Sequence, residues 1–259
     1  MSLEPVLLAL EPDFLVVVKP PNLISHPTRP DGQPSLLGWL QEKFPGEFIA
    51  LVNRLDRETS GTVLAARSPE AASRLGTLTM KREIHKYYLA LVSGRVEADH
   101  GIIDASIGRL GISEENPIWL RQGVIAPDDP AGRKAASAQT EYWRLAATAS
   151  HSLLRLQAHT GRLHQLRVHL SHLGHPVVGD KIYGPDSNLY LKFIAEGWTE
   201  EHQRVLGLSH HALHAHELSF VWDGEERKFI APLPEDVREL MDKYFASRHP
   251  ELVEGSDAL

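Results

Sequence analysis

Cysteine is missing from all 259 residues. Its absence removes disulfides, thiolate zinc sites and cysteine nucleophiles, and is compatible with a reducing cytosol. No apolar run approaches membrane-spanning length, so no membrane partner is expected. The N-terminus lacks the basic start and long apolar core of a secretory signal, and the expected location is cytoplasmic. Positive charge is also in short supply: 27 Lys and Arg face 34 Asp and Glu, a formal net charge of −7. Taken alone, this balance argues against a polyanionic partner, because phosphate binding needs positive charge. Distribution matters more than the sum. Lys81, Arg82 and Lys86 cluster, as do Arg155, Arg162 and Arg167, while the segment from Glu196 onward is acid-rich. A basic cleft on an acidic body is expected. Hydrophobic residues make up 42% of the chain, enough for a real core in one large domain or two small ones.

The stretch that organises the chain is Leu51 to Arg67. Asp56 stands between Arg54 and Arg57, and a small polar turn, Thr59-Ser60-Gly61, leads into the apolar run Thr62 to Ala66. That run is short, partly β-branched and bounded by a turn and a breaker, so it reads as a buried strand. Asp56 therefore lies on a loop feeding a core strand, where functional side chains are often held against a rigid scaffold. Flanked by arginines, its carboxylate should be ionised. It suits a nucleophile or an electrostatic partner and not a proton donor at neutral pH. An isolated Asp-Arg pair reads more simply as a salt-bridged surface turn; the neighbourhood shifts that balance.

Residues 53–61, N-R-L-D-R-E-T-S-G, resemble the H-R-L-D-x-x-T-S-G signature of RluA-type RNA pseudouridine synthases. The resemblance implies that Asp56 is the catalytic aspartate and Arg54 the arginine that wedges into the RNA as the target uridine flips out. Asn53 stands where the family usually has His, a departure that bears on local hydrogen bonding or substrate preference.

Upstream, Leu15 to Val18 form a strand candidate that must stop at Lys19-Pro20-Pro21, because proline lacks a ladder donor. The D-F-L-V-V-V-K-P pattern resembles the family's first motif, with Asn22 where a glycine is usual; Asn tolerates left-handed backbone angles. Residues 26–34 read as a loop and Ser35 to Phe44 as a short helix. Ser68-Pro69-Glu70 is a helix start: serine caps, proline fits the first position, and glutamate suits the positive dipole end. That helix ends at Lys81-Arg82, a pair open to phosphates. Lys86 to Gly94 reads as a strand, and its K-x-Y-x-A-x-V-x-G pattern resembles the family's, which implies that Tyr88 is the active-site tyrosine. By spacing alone Tyr88 is equally a core aromatic.

Residues 100–139 look strand-poor, with Asp104 to Arg109 as an edge strand and Gly132-Arg133-Lys134 as a basic turn; Ala138 to Trp143 is a strand. From Leu153, a strand to His159 and a Thr160-Gly161 turn precede Leu163, Leu166, Leu170 and Leu173 at helical spacing. Gly174 and Pro176 end that helix. Arg167 borders the apolar stripe and needs a carboxylate partner, because an unpaired buried charge is costly; Asp56 is the candidate. The long T-G-R-x-H-Q-L-R-x-H…G-x-P-x-x-G-D-x-x-Y-G pattern resembles the family's closely. It implies that Arg167 pairs with the catalytic aspartate.

A helical insertion is expected over 185–209, paired strands around Asp223-Gly224, and a closing helix from Pro234 to Phe245. His210 to His216 resembles the family's L-H-A segment, implying that Leu213 packs beside the catalytic pocket. The fifteen histidines raise a metal reading. His210 and His214 are four apart, but no glutamate follows the first as in helical zinc proteases; no metal site is expected.

The resemblance implies an α+β fold, a single catalytic domain over residues 1–245 with a curved, mixed, mostly antiparallel sheet, flanking helices and an RNA-binding cleft. Residues 246–259 are expected to be a frayed tail. It further implies cofactor-independent isomerisation of uridine in structured rRNA or tRNA, by a monomer. A catalytically silent RNA-binding paralogue is the alternative, motivated by Asn53 and the acidic balance.

Overall fold

The computed structural model describes residues 4–27, 33–110, 117–129 and 134–245. The expected tail, the centre of the loop at 26–34, and Gly132-Arg133 lie outside them. The chain divides into two compact units, one comprising residues up to Tyr88 with His214–Glu235, the other Leu89–Leu213 with the segment from Asp236.

In the first unit, β1 (Val6–Leu10), β2 (Phe14–Lys19), β4 (Ser60–Ala66) and β12 (Leu213–Trp222) lie side by side in that order. β1 and β4 each run antiparallel to β2, whereas β4 meets β12 in parallel through Ser60 and Gly61 opposite His214 and Ala215. β3 (Ala50–Leu51) adds to β4, and β13 (Glu225–Ile230) to β12, both antiparallel. The sequence of β2 and β4 is apolar on consecutive residues because both faces are covered. Phe14, Val16, Leu64 and Ala66 pack with Ala71 and Leu75 of α2 (Pro69–Lys81) and with Leu218, Phe220 and Trp222. Leu15, Val17, Val63 and Ala65 point the other way, to Leu36 and Leu40 of α1 (Leu36–Lys43). Both helices begin as the sequence predicts. The Ser68 hydroxyl accepts from the Ala71 N–H and the Ser35 hydroxyl from the Gly38 N–H, each at 3.0 Å.

Gly61 is required where β4 meets β12. Its φ is +113°, and a Cβ there would lie 2.2 Å from the Ala215 carbonyl oxygen. Only the residue without a side chain lets the strands close at this point.

In the second unit the order is β5-β11-β10-β6. β5 (His85–Ser93) enters from the first unit, and β10 (Gln139–Ala147) pairs antiparallel with both β11 (His151–Ala158) and β6 (His100–Asp104). The strand-poor reading of 100–139 needs correcting. Besides β6, a separate sheet is formed by β8 (Gln122–Val124), β7 (Ile107–Arg109) and β9 (Ala135–Ala136), with β7 in the centre and not at an edge. Each of these strands has five residues or fewer, too short for a period-2 signal.

The helix carrying Arg167, α3 (Gln165–His172), starts later than the leucine spacing suggests. His164 adopts φ 56°, a left-handed angle that blocks helix propagation from Leu163. Leu163 and Leu173 are exposed, and the buried residues run without a break from Gln165 to Leu170, Arg167 among them. The insertion contributes α4 (Asn188–Glu196) and α5 (Glu200–Leu206), and α6 (Glu235–Phe245) buries Val237, Met241 and Phe245. Both units thus combine helices with largely antiparallel strands, the α+β class read from the sequence.

Gly61→Ala should unfold or severely destabilise the protein, by about 3 kcal/mol or more from φ strain plus the backbone clash. Gly76→Ala in α2, with open space around its Cβ, should gain about 0.5–1 kcal/mol from helix propensity. Urea denaturation of the two variants measures the contrast.

Candidate active site

The Asp56 loop is built into the first unit by side chains on either side of it. Val52 N–H donates to the Leu64 carbonyl at 2.8 Å. The Asn53 amide continues the pattern: its Oδ1 accepts from the Leu64 N–H at 2.8 Å and its Nδ2 donates to the Thr62 carbonyl at 3.3 Å. Asn53 thereby ties the loop to β4 as an extra rung of the ladder. Leu55 is buried in the α1-side core, and Tyr88 packs against the same cluster. Thr59 N–H donates to the Asp56 carbonyl at 3.2 Å, closing the turn. The result is a half-buried Asp56 side chain between exposed Arg54 and Arg57.

Tyr88 and Lys19 feel the Asp56 charge. Burial pushes the Tyr88 hydroxyl up to about 12, and the Asp56 carboxylate adds to the shift. Lys19 is fully buried at the end of β2. Burial pushes its ammonium down to about 7; Asp56 opposes that shift, Arg57 reinforces it and Glu58 opposes it. Lys19 Nζ donates to three carbonyls, those of Pro20 at 2.9 Å, Leu23 at 2.8 Å and Arg57 at 3.1 Å. Three acceptors match the three protons of an ammonium. Sequence reasoning treated Lys19 as the end of a strand. The available signal was a lysine continuing an otherwise apolar run without a break.

In the second unit Arg167 is 5% exposed. Its Nε donates to Asp180 Oδ2 at 2.6 Å and its Nη2 to Asp180 Oδ1 at 3.0 Å, a bidentate pair. Asp180 is wholly buried and also accepts from the backbone N–H groups of Ile182 and Tyr183. Burial works to raise the Asp180 carboxyl, but the Arg167 charge and hydrogen bond, with His211 and the Tyr183 N–H, hold it well below the usual carboxylate range. The expectation that a buried Arg167 takes a carboxylate is met by Asp180, thirteen residues on. That residue is the aspartate of the G-D-x-x-Y-G pattern, to which the sequence reading gave no partner. The Arg167 guanidinium also lies over the Tyr183 ring, 5.0 Å from its centroid. Leu213 is buried at the start of β12.

Two histidines of the 210–216 stretch have specific partners. His214 lies on a strand, where its Nδ1 pairs with the Ser60 hydroxyl at 2.8 Å and its Nε2 meets the Ala231 carbonyl at 3.2 Å. His210 Nε2 pairs with Asp236 at 2.9 Å. Asp56, Tyr88 and Arg54 belong to the first unit and Arg167 and Leu213 to the second.

A family model described as RNA pseudouridylate synthase matches residues 13–172, a span that holds the Asp56 loop, β5 and α3. The chain belongs to the RNA pseudouridine synthase family. It is 37% identical over 243 residues to an uncharacterized RNA pseudouridine synthase of Chloroflexus aurantiacus, with 89% of this chain and 67% of that protein covered. It is 32% identical to the ribosomal large subunit pseudouridine synthase D of Nitrosomonas europaea, with 92% of this chain and 64% of that protein covered. It thus spans about two thirds of the length of these curated relatives. Among solved structures, human RNA pseudouridylate synthase domain containing 1 aligns with TM-score 0.68 at 30% identity, covering 90% of this chain and 84% of that one. The synthase fold is thus shared by sequence and by shape.

Two measurements check the electrostatics. Tyr88 gains stability from its neutral phenol, in full below pH 10 and lost as pH rises through about 12. An alkaline absorbance titration should lose a component titrating near 12 in Tyr88→Phe. Asp180→Ala, which strips the bidentate partner from a buried guanidinium, should cost about 3–5 kcal/mol in denaturant unfolding.

Proposed function

We propose that this synthase isomerises specific uridines in structured RNA to pseudouridine, with Asp56 as the catalytic aspartate. The observation that carries the reading is Asp56 itself: a half-buried carboxylate on a loop ladder-bonded to β4, close enough to Tyr88 to raise its hydroxyl. A target base cannot be reached while stacked, and flipping it out costs on the order of a few kcal/mol. Arg54, which is exposed, props the vacated gap. Asp56 then acts on the sugar, attacking the anomeric carbon or removing a sugar proton. The bond from C1′ to N1 of uracil breaks, the base turns, and a bond from C1′ to C5 forms. The proton leaves C5 and N1 gains one, so atoms and charge balance without a cofactor. Tyr88 stacks on the base. The family resemblance gives Arg167 the role of orienting the catalytic aspartate and Leu213 a place beside the pocket; in this chain the Arg167 guanidinium is held by Asp180.

Ribosomal RNA is the favoured substrate, since relatives in several organisms carry the name ribosomal large subunit pseudouridine synthase; tRNA is the competing class. A cytoplasmic monomer suits this role. No helix among the described residues is long and apolar enough to cross a membrane. Asn53, which motivates the silent-paralogue alternative, ties the loop to β4 in this chain.

Asp56→Ala should lower turnover by at least about a thousandfold while RNA binding, followed by filter retention, persists. Retained turnover in that variant would sink the assignment. Chemical mapping of pseudouridine in bulk rRNA and tRNA treated with the wild-type protein decides the substrate class; no new site on either supports the silent reading.

A further inference from the structure

The segment between β2 and α1 does more than connect them. Ser25 is 4% exposed. Its hydroxyl donates to the Leu55 carbonyl at 2.9 Å and accepts from the Leu55 N–H at 3.0 Å. One side chain therefore satisfies both polar groups of the residue that precedes Asp56. On the other side, Lys19 Nζ holds the Arg57 carbonyl at 3.1 Å. Between them the Asp56 carbonyl takes the Thr59 N–H. Every described carbonyl from Leu55 to Arg57 is thus engaged, two of them by buried side chains of residues 19–25.

The bracket is itself fixed at both ends. Lys19 is paired into β2 opposite Gly61. Leu36 N–H donates to the Ile24 carbonyl at 2.9 Å and Leu37 N–H to the Ser25 carbonyl at 3.1 Å, which docks the segment on the first turn of α1. Asn22, at φ 66°, makes the turn between the two holding residues, and its carbonyl receives Arg57 Nε at 3.4 Å. A hydroxyl with one donor and two acceptor sites is used here on two backbone groups, away from competing water.

We propose that Ser25 is a positioning residue for the isomerisation, acting with Lys19 to fix the backbone on both sides of Asp56. This rests on Asp56 being the catalytic aspartate. The hydroxyl touches neither substrate nor reacting atoms; it limits where the carboxylate can stand. A shift of about 1 Å in a reacting group can cost about a hundredfold in rate, so freedom in the Leu55 peptide reads out in turnover before it reads out in RNA binding.

Ser25→Ala should lower single-turnover kcat by about 10- to 100-fold, with the RNA Kd and KM within about twofold of wild type. The measurement is made well below the unfolding midpoint, with the folded fraction checked by circular dichroism. Ser25→Thr, which keeps the hydroxyl, should recover most of the loss; Ser25→Cys, of similar size but a poor hydrogen-bonding group, should not. Leu218→Ala is the control for mere destabilisation: it opens the α2-side core and should lower the midpoint while leaving kcat near wild type. If folded Ser25→Ala turns over within twofold of wild type, or if its loss lies in KM, the positioning role is overturned. Should Asp56→Ala remain active, the catalytic reading itself falls; a dead Asp56→Ala beside a fully active Ser25→Ala overturns the Ser25 role alone.

Discussion

A loop that must present a carboxylate cannot leave its own peptide groups unpaired where water is scarce. This constraint shapes the first unit. Val52 and Asn53 extend the β4 ladder, Ser25 and Lys19 occupy the groups around Asp56, and Leu55 sinks its side chain between α1 and the sheet. Gly61 then lets β4 close on β12 immediately after the loop. The local order of Asp56 follows from hydrogen bonds made by its neighbours.

Much of this was legible in the residues. Runs such as Leu15 to Val18 and Thr62 to Ala66 are apolar and β-branched, and strands buried on both faces need that composition. Ser68-Pro69 marked the start of α2 because serine and proline act there through local geometry alone. The strands of 100–139 stayed hidden because each is too short to show a period, and their register depends on partners distant in sequence. The late start of α3 was hidden for another reason. The leucine spacing runs on through Leu163, but a single backbone angle at His164 overrides it.

The candidate site was legible in the same uneven way. Asp56, Arg54, Tyr88, Arg167 and Leu213 came from motifs. Ser25 and Lys19 did not, because the groups they hold beside Asp56 are backbone groups thirty or more residues away, and backbone leaves no mark in a sequence pattern. Asp180 lay inside a recognised motif, but choosing between two aspartates for one arginine is a three-dimensional question.

The bidentate pair of Arg167 with Asp180 has a consequence for how this protein handles a polyanion. A guanidinium already matched by a carboxylate presents a dipole rather than a monopole, and the field of a dipole fades within a few ångströms. Such a group can aim a neighbour at contact range but adds little to the long-distance pull on phosphates. That pull falls to cations in contact with solvent, such as Arg54, Lys81 and Arg82, whose field is shortened by dissolved salt. On the proposed roles, capture and orientation belong to different side chains, and only the first is tuned by the ionic medium.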